Sequence, residues 1–125
     1  MEGLLELPSA SDEARIAYTE DFFRRINQTH AESALDHRPM ADFRCECWQE
    51  RCTAHVSLSA EDWTVVRTQG NRFAVAPHHV AQHFEAVLTT YPNFWVIEKF
   101  GKAGEIAEEL ARLETVTLAT ARRHP

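Results

Sequence analysis

The sequence predicts an α+β fold: an antiparallel sheet of about five strands, flanked by N-terminal, central and C-terminal helices, with one hairpin pinned by a metal ion. Three observations predict it. Apolar residues recur at helical spacing near both ends of the chain, as in Ile16, Phe23 and Ile26 and again in Ile106, Leu110 and Leu113. Between them lie short runs rich in Val, Ile, Thr and aromatic residues, separated by turn-forming residues. All three cysteines of the chain fall within Cys45–Cys52.

The totals bound what these elements can build. A length of 125 residues fits one domain, and 44% hydrophobic against 26% charged residues is the balance of a globular core with a solvated surface. The expected organisation is a flexible lead over residues 1–10, a single domain over 11–114 and a tail over 115–125. A net charge of -6 opposes a broad basic face, so nucleic-acid binding is disfavoured as the main activity. No apolar run approaches the roughly 20 residues needed to cross a bilayer, so no membrane partner is expected. The opening Met1–Pro8 lacks the positive start and continuous apolar core of a secretory signal, which leads to an expectation of cytoplasmic residence. Thiols stay reduced there, so an odd, clustered set of cysteines reads as metal-binding or redox-active before it reads as a disulfide framework.

Taken in order, the first helix begins near Ser11 or Asp12, whose side-chain oxygens cap free amides. Its apolar stripe is Ile16, Thr19, Phe23 and Ile26, widened by Phe22 and expected to lie on a sheet, with Glu20, Arg24 and Arg25 on the wet side. Pro39 forces an exit. Phe43-Arg44-Cys45 and residues 53–58 alternate and pair as a hairpin whose loop is the cysteine segment. Ser59 with Asp62 resembles a capping box, and Leu58 with Trp63 a hydrophobic staple, so a helix follows over 60–68, ended by a left-handed Gly70. Residues 72–76 form a strand ending at Pro77. Residues 86–91 and 94–99 form a hairpin around Pro92-Asn93, although Val80, Phe84, Val87 and Leu88 also match a helical step. Gly101 and Gly104 bracket a loop before a closing helix over 103–114.

Three thiols in eight positions point to a shared ligand, and zinc accepts thiolate and imidazole in a tetrahedron. Cys45 and Cys47, two apart, face the same way on an extended segment, and four intervening residues let Cys52 return to them. The fourth place is filled from Pro77-His78-His79, with His79 favoured; His78, His55 and His83 stand as substitutes. A full Cys3His set closes the site and makes it structural, whereas three protein ligands leave an open position, and an iron–sulfur cluster then enters consideration. His30, His37 and His124 read as surface residues. Trp63, Trp95, Phe73 and Phe94 read as core, and Glu98-Lys99 as a surface ion pair.

Several stretches together resemble a family of small, mostly uncharacterised actinobacterial proteins: Thr19–Asn27, Phe43-Arg44-Cys45-Glu46-Cys47 with a third cysteine five positions on, Phe73–Pro77 leading to a histidine, and Trp95–Lys99. The likeness spans roughly residues 16–108. In that family the pattern leading to the histidine is usually Pro-Gly-His, which aligns its glycine with His78 and its histidine with His79. Trp48 stands where relatives usually carry glycine. The resemblance implies the metal ligands Cys45, Cys47, Cys52 and His79 and supplies no activity. The functional expectation is a small zinc protein, one structural Zn2+ per chain, acting as a non-enzymatic regulatory or adaptor module on an unknown protein partner. The alternative is a thiol or metal redox sensor, or an enzyme using the cysteine cluster directly.

Overall fold

The computed structural model describes residues 10–36 and 38–123, with side chains described for 12–36 and 38–114. The predicted lead falls outside these residues except for Ala10, as do His37 and His124. The order is α1 (Ala10–Ala34), β1 (Met40–Arg44), β2 (His55–Ser59), α2 (Ala60–Arg67), β3 (Arg72–Val75), β4 (Glu85–Thr90), β5 (Trp95–Lys99) and α3 (Gly101–Arg123). This is the α+β arrangement with five antiparallel strands. They divide into two sheets, a β1–β2 hairpin and a three-stranded sheet of order β3-β5-β4. Among the described residues no helix is long and apolar enough to cross a membrane.

The β1–β2 hairpin holds the register Phe43↔Val56 and Ala41↔Leu58, so all four of these residues point into the core. α2 begins as the sequence requires. Ser59 Oγ accepts from the Asp62 amide at 3.1 Å and the Asp62 carboxylate accepts from the Ser59 amide at 3.2 Å, which satisfies two amides that a helix start leaves free. Leu58 and Trp63 are both buried, and Trp63 stacks on Phe43 with ring centroids 4.7 Å apart. β5 pairs with β3 and with β4, and a bulge shifts the β4 register between Val87 and Thr89. Phe73, Val75 and Ile97 close the same core. Residues 77–84 hold no helix and Glu85–Thr90 is a strand, so the helical step of Val80, Phe84, Val87 and Leu88 is not used.

The structure corrects three details. α1 is rotated from its predicted aspect: Glu20, Asp21, Arg24 and Asn27 are buried beside Ile16, Ala17 and Phe23, while Tyr18, Phe22 and Ile26 are exposed. Hydrogen-bonded partners make this possible for Asp21, Arg24 and Asn27, and an ion pair with Lys99 for Glu20, because a buried polar group is tolerated when it is partnered. Arg24 donates to Asp21 at 2.7 Å, to the Ala107 carbonyl at 3.1 Å and to the Gly70 carbonyl, and lies 4.6 Å over the Phe73 ring. Gly70 is not left-handed; it is needed because α3 crosses it, where an added Cβ would lie 2.9 Å from Ala111 Cβ. Gly101 and Gly104 belong to the first turn of α3 rather than to a loop, and a Cβ at Gly104 would come within 2.7 Å of the Lys99 carbonyl oxygen. α3 also continues through residues 115–123, a stretch the sequence left open between helix and tail.

Candidate metal centre

The cysteine segment is built by a change of pairing partner. The Cys45 amide donates to the Ala54 carbonyl at 3.0 Å, extending the β1–β2 ladder by one step. The next amide, that of Glu46, instead donates to the Ala74 carbonyl of β3 at 2.9 Å. The segment therefore bridges the two sheets. A turn closes behind it, the Cys52 amide donating to the Gln49 carbonyl at 3.1 Å. Arg44 braces that turn by donating to the Cys52 carbonyl and, at 3.1 Å, to the Glu50 carbonyl, with its guanidinium 3.6 Å over the Phe23 ring.

Glu46, between two cysteines, turns its side chain away from them into the protein and is fully buried. Its carboxylate accepts from the Ala74 amide at 3.0 Å, from Arg67 at 2.7 Å and from Asn27 at 2.9 Å. Asn27 also donates to the Arg44 carbonyl at 2.8 Å and accepts from the Arg44 amide at 3.0 Å, closing the outer edge of β1. One carboxylate thus fixes the loop to α1, α2 and β3. Burial lowers the Arg67 pKa, and the Glu46 charge works against that fall.

The fourth side chain arrives from the end of β3. His78 takes a left-handed conformation, φ 72°, and the His79 amide donates to the Ala76 carbonyl at 3.1 Å. That reversal places His79 Nδ1 3.5 Å from both Cys45 Sγ and Cys52 Sγ. The ligand atoms of Cys45, Cys47, Cys52 and His79 all lie within 4.8 Å of one another, the one such His, Cys, Asp and Glu group among the described residues. All three cysteines are free thiols and buried. His79 is partly buried; His78, His55 and His83 are exposed and outside the group. His78 packs on Trp95 at 4.5 Å, and His83 lies edge-on to Phe84 at 6.4 Å.

These donors fit a tetrahedral ion. With metal–sulfur and metal–nitrogen bonds of about 2.3 and 2.05 Å, the edges of a tetrahedron are about 3.8 Å between sulfurs and about 3.6 Å between sulfur and nitrogen. The two measured sulfur–nitrogen distances of 3.5 Å match the second edge. The limit of 4.8 Å on the whole group leaves at most about 1 Å of contraction to complete the first. Two sulfurs already accept backbone amides, Cys45 from Ala76 at 3.1 Å and Cys52 from Ala54 at 3.4 Å, an arrangement that orients and stabilises thiolate ligands. The bond to Cys47, together with burial, pushes the Cys45 thiol far above its ordinary range. The same bond pulls Cys47 down to about 5, while burial raises Cys52.

A second buried cluster escaped the sequence reading. Lys99, expected at the surface beside Glu98, is fully buried, with its ammonium 2.8 Å from Glu20 and 2.6 Å from Glu85. Glu98 instead pairs with Arg72 across the β3–β5 ladder at 3.3 Å. Glu85 also accepts from the Ala81 amide at 2.8 Å. Burial, and then the neighbouring Glu85, hold the Glu20 carboxyl well above its ordinary value, with Lys99 opposing. The available signal was the two-residue period of β5, which puts Lys99 on the same face as Ile97. The four aromatics read as core behave as expected, Phe73, Phe94 and Trp63 being buried and Trp95 packed against the core.

No known protein family, curated protein or solved structure matches the chain.

Proposed function

We propose that this chain is a small zinc protein in which Cys45, Cys47, Cys52 and His79 close a structural Cys3His site around one Zn2+. The protein acts as a non-enzymatic regulatory or adaptor module through protein contacts. The observation that carries the reading is the pair of 3.5 Å distances from His79 Nδ1 to the sulfurs of Cys45 and Cys52, the spacing a tetrahedral zinc imposes. Four protein ligands leave no position for water or substrate, which suits a structural ion rather than a catalytic one. The ion would join the cysteine segment that follows β1 to the turn after β3, and through them the two sheets.

The left-handed backbone at His78 supports the resemblance to the actinobacterial family, because glycine, which that family carries there, adopts this conformation without steric cost. Support for a protein partner comes from the exposed side of α1, where Tyr18, Phe22 and Ile26 follow one another at four-residue steps with exposures of 58%, 59% and 45%. A redox sensor needs a reachable sulfur. Cys45 and Cys47 are fully buried and Cys52 is 9% exposed, which favours the structural reading.

Elemental analysis of the purified protein tests this. One zinc per chain is expected in the wild type, lost in Cys47→Ser and in His79→Ala and retained in His83→Ala. A zinc-free protein whose thiols alkylate rapidly would favour the sensor instead.

A further inference from the structure

The two edges of the three-stranded sheet differ in what they leave open. On the outer side of β3, the Ala74 amide donates to the Glu46 carboxylate at 3.0 Å and the Ala74 carbonyl accepts from the Glu46 amide at 2.9 Å, while the Ala76 amide donates to Cys45 Sγ at 3.1 Å. The cysteine segment therefore seals that edge. β4 forms the opposite edge, and every residue from Ala86 to Asn93 is exposed. The Tyr91 amide donates to the Phe94 carbonyl and the Phe100 amide to the Phe84 carbonyl. By the alternation of an antiparallel ladder, the backbone groups of Glu85, of the bulge at Val87 and Leu88, and of Thr90 then point away from β5. No backbone group of another described segment is hydrogen-bonded to them.

An open edge is a template for another strand, and proteins ordinarily blunt it with charge or proline. Here the run from Ala86 to Ile97 carries no charged residue, and Val87, Leu88 and Tyr91 are 42%, 43% and 41% exposed. The bulge twists the edge but adds no charge. Its spacing selects the partner. Outward groups fall at residue 85, at 87 and 88, and at 90, a pattern symmetric about the bulge. A regular strand does not match that spacing, whereas a second β4 turned about a two-fold axis does. We propose that two copies of this chain pair β4 to β4, antiparallel, with Val87 and Leu88 at the axis and Glu85 opposite Thr90 of the other copy. Two three-stranded sheets thereby join into one of six strands. Each copy has a net charge of -6, and the uncharged strand is where two copies meet without like charges facing one another. Glu85 does not break this rule, because its carboxylate is buried against Lys99 at 2.6 Å. The sealed β3 edge stops further growth, so the assembly closes at two copies. A six-residue strand is about 20 Å long and covers less than the roughly 800 Å² per partner of a standard interface, so the dimer is weak and reversible. The pairing uses no side chain of the metal group, and its fate is independent of the metal reading.

Sedimentation equilibrium of the full chain as purified, from about 1 μM to about 1 mM, tests it. A reversible monomer–dimer equilibrium with no larger species is expected. Leu88→Lys and Val87→Lys, both at exposed positions, should each weaken dimerisation by roughly tenfold or more, because the axis brings the new charge beside its own copy. A mixture of Leu88→Lys and Leu88→Glu chains should associate roughly tenfold more tightly than either chain does with itself. That recovery is decisive, because a variant that merely damaged the fold would not show it. Amide exchange over residues 85–90 should slow as concentration rises through the transition, and Phe22→Lys on the exposed side of α1 should leave the dimer intact. A chain that stays monomeric at every concentration, a dimer indifferent to both lysine substitutions on β4, or a mixed pair that fails to associate overturns the proposal.

Discussion

Replacing Glu46 with alanine should destabilise the metal-loaded protein far more than a change beside a surface loop would. The substitution removes four favourable arrangements at once: an ion pair with Arg67, whose side chain is only 15% exposed, an acceptor for the Ala74 amide, an acceptor for Asn27, and the volume that fills the space between them. Breaking a buried ion pair from one side costs about 3–5 kcal/mol, mainly because the remaining charge is stranded. The unpaired Ala74 amide adds about 1–3 kcal/mol. These terms share partners and do not sum, so a total of about 4–6 kcal/mol is expected, a large part of the roughly 5–15 kcal/mol that holds a domain of this kind together. Glu46→Gln keeps an acceptor for the Ala74 amide but loses the charge and the acceptor for Asn27, so it should cost less than alanine, about 1–3 kcal/mol. Urea denaturation with zinc in excess measures both. The double variant Glu46→Met with Arg67→Met should then be less unstable than the two single changes combined, since neither charge is left without its partner. A Glu46→Ala loss below about 1 kcal/mol, or strict additivity in the double variant, would refute the claim that this carboxylate fixes the loop.

Three further expectations follow from the same geometry. Glu20 is held protonated in the fold above the ordinary carboxyl value, so the folded chain binds more protons than the unfolded chain between about pH 4.5 and the raised value. The group's contribution to stability is complete below that window and is lost as pH rises through it; Glu20→Gln should therefore gain stability relative to wild type as pH increases, read as a difference in urea midpoints at each pH. At position 78, glycine should be more stable than alanine by about 1 kcal/mol, because both lose the Trp95 contact while only alanine keeps a strained left-handed backbone. Thermal melts of His78→Gly and His78→Ala decide this. Chelation should lower the melting temperature of the wild type sharply, since structural zinc contributes on the order of 10 kcal/mol of apparent folding energy, and should leave Cys47→Ser nearly unchanged.

Local chemistry was legible in the sequence and long-range polar pairing was not. Ser59 and Asp62 announced the start of α2 because a capping box is completed within four residues. The cysteine spacing and the histidine after Pro77 pointed to Cys45, Cys47, Cys52 and His79, which the fold brings together, because thiols and imidazoles are scarce and chemically specific. α1 was misread for the opposite reason. Hydropathy placed Glu20 and Arg24 in water, whereas their partners Lys99 and the Gly70 and Ala107 carbonyls lie far along the chain, and only the assembled fold brings them within reach. Glu46 carried no role of its own in the sequence, although Cys45 and Cys47 facing one way on an extended segment already required it to face the other. Gly70 was assigned a turn conformation when its small size under α3 was the constraint, a matter of packing between distant segments.

The most direct test of the central claim is X-ray absorption at the zinc edge of the protein as purified. Three sulfur scatterers at about 2.3 Å and one nitrogen at about 2.0–2.1 Å are expected. A shell with fewer than three sulfurs, or one completed by a water oxygen in place of the His79 imidazole, would contradict it.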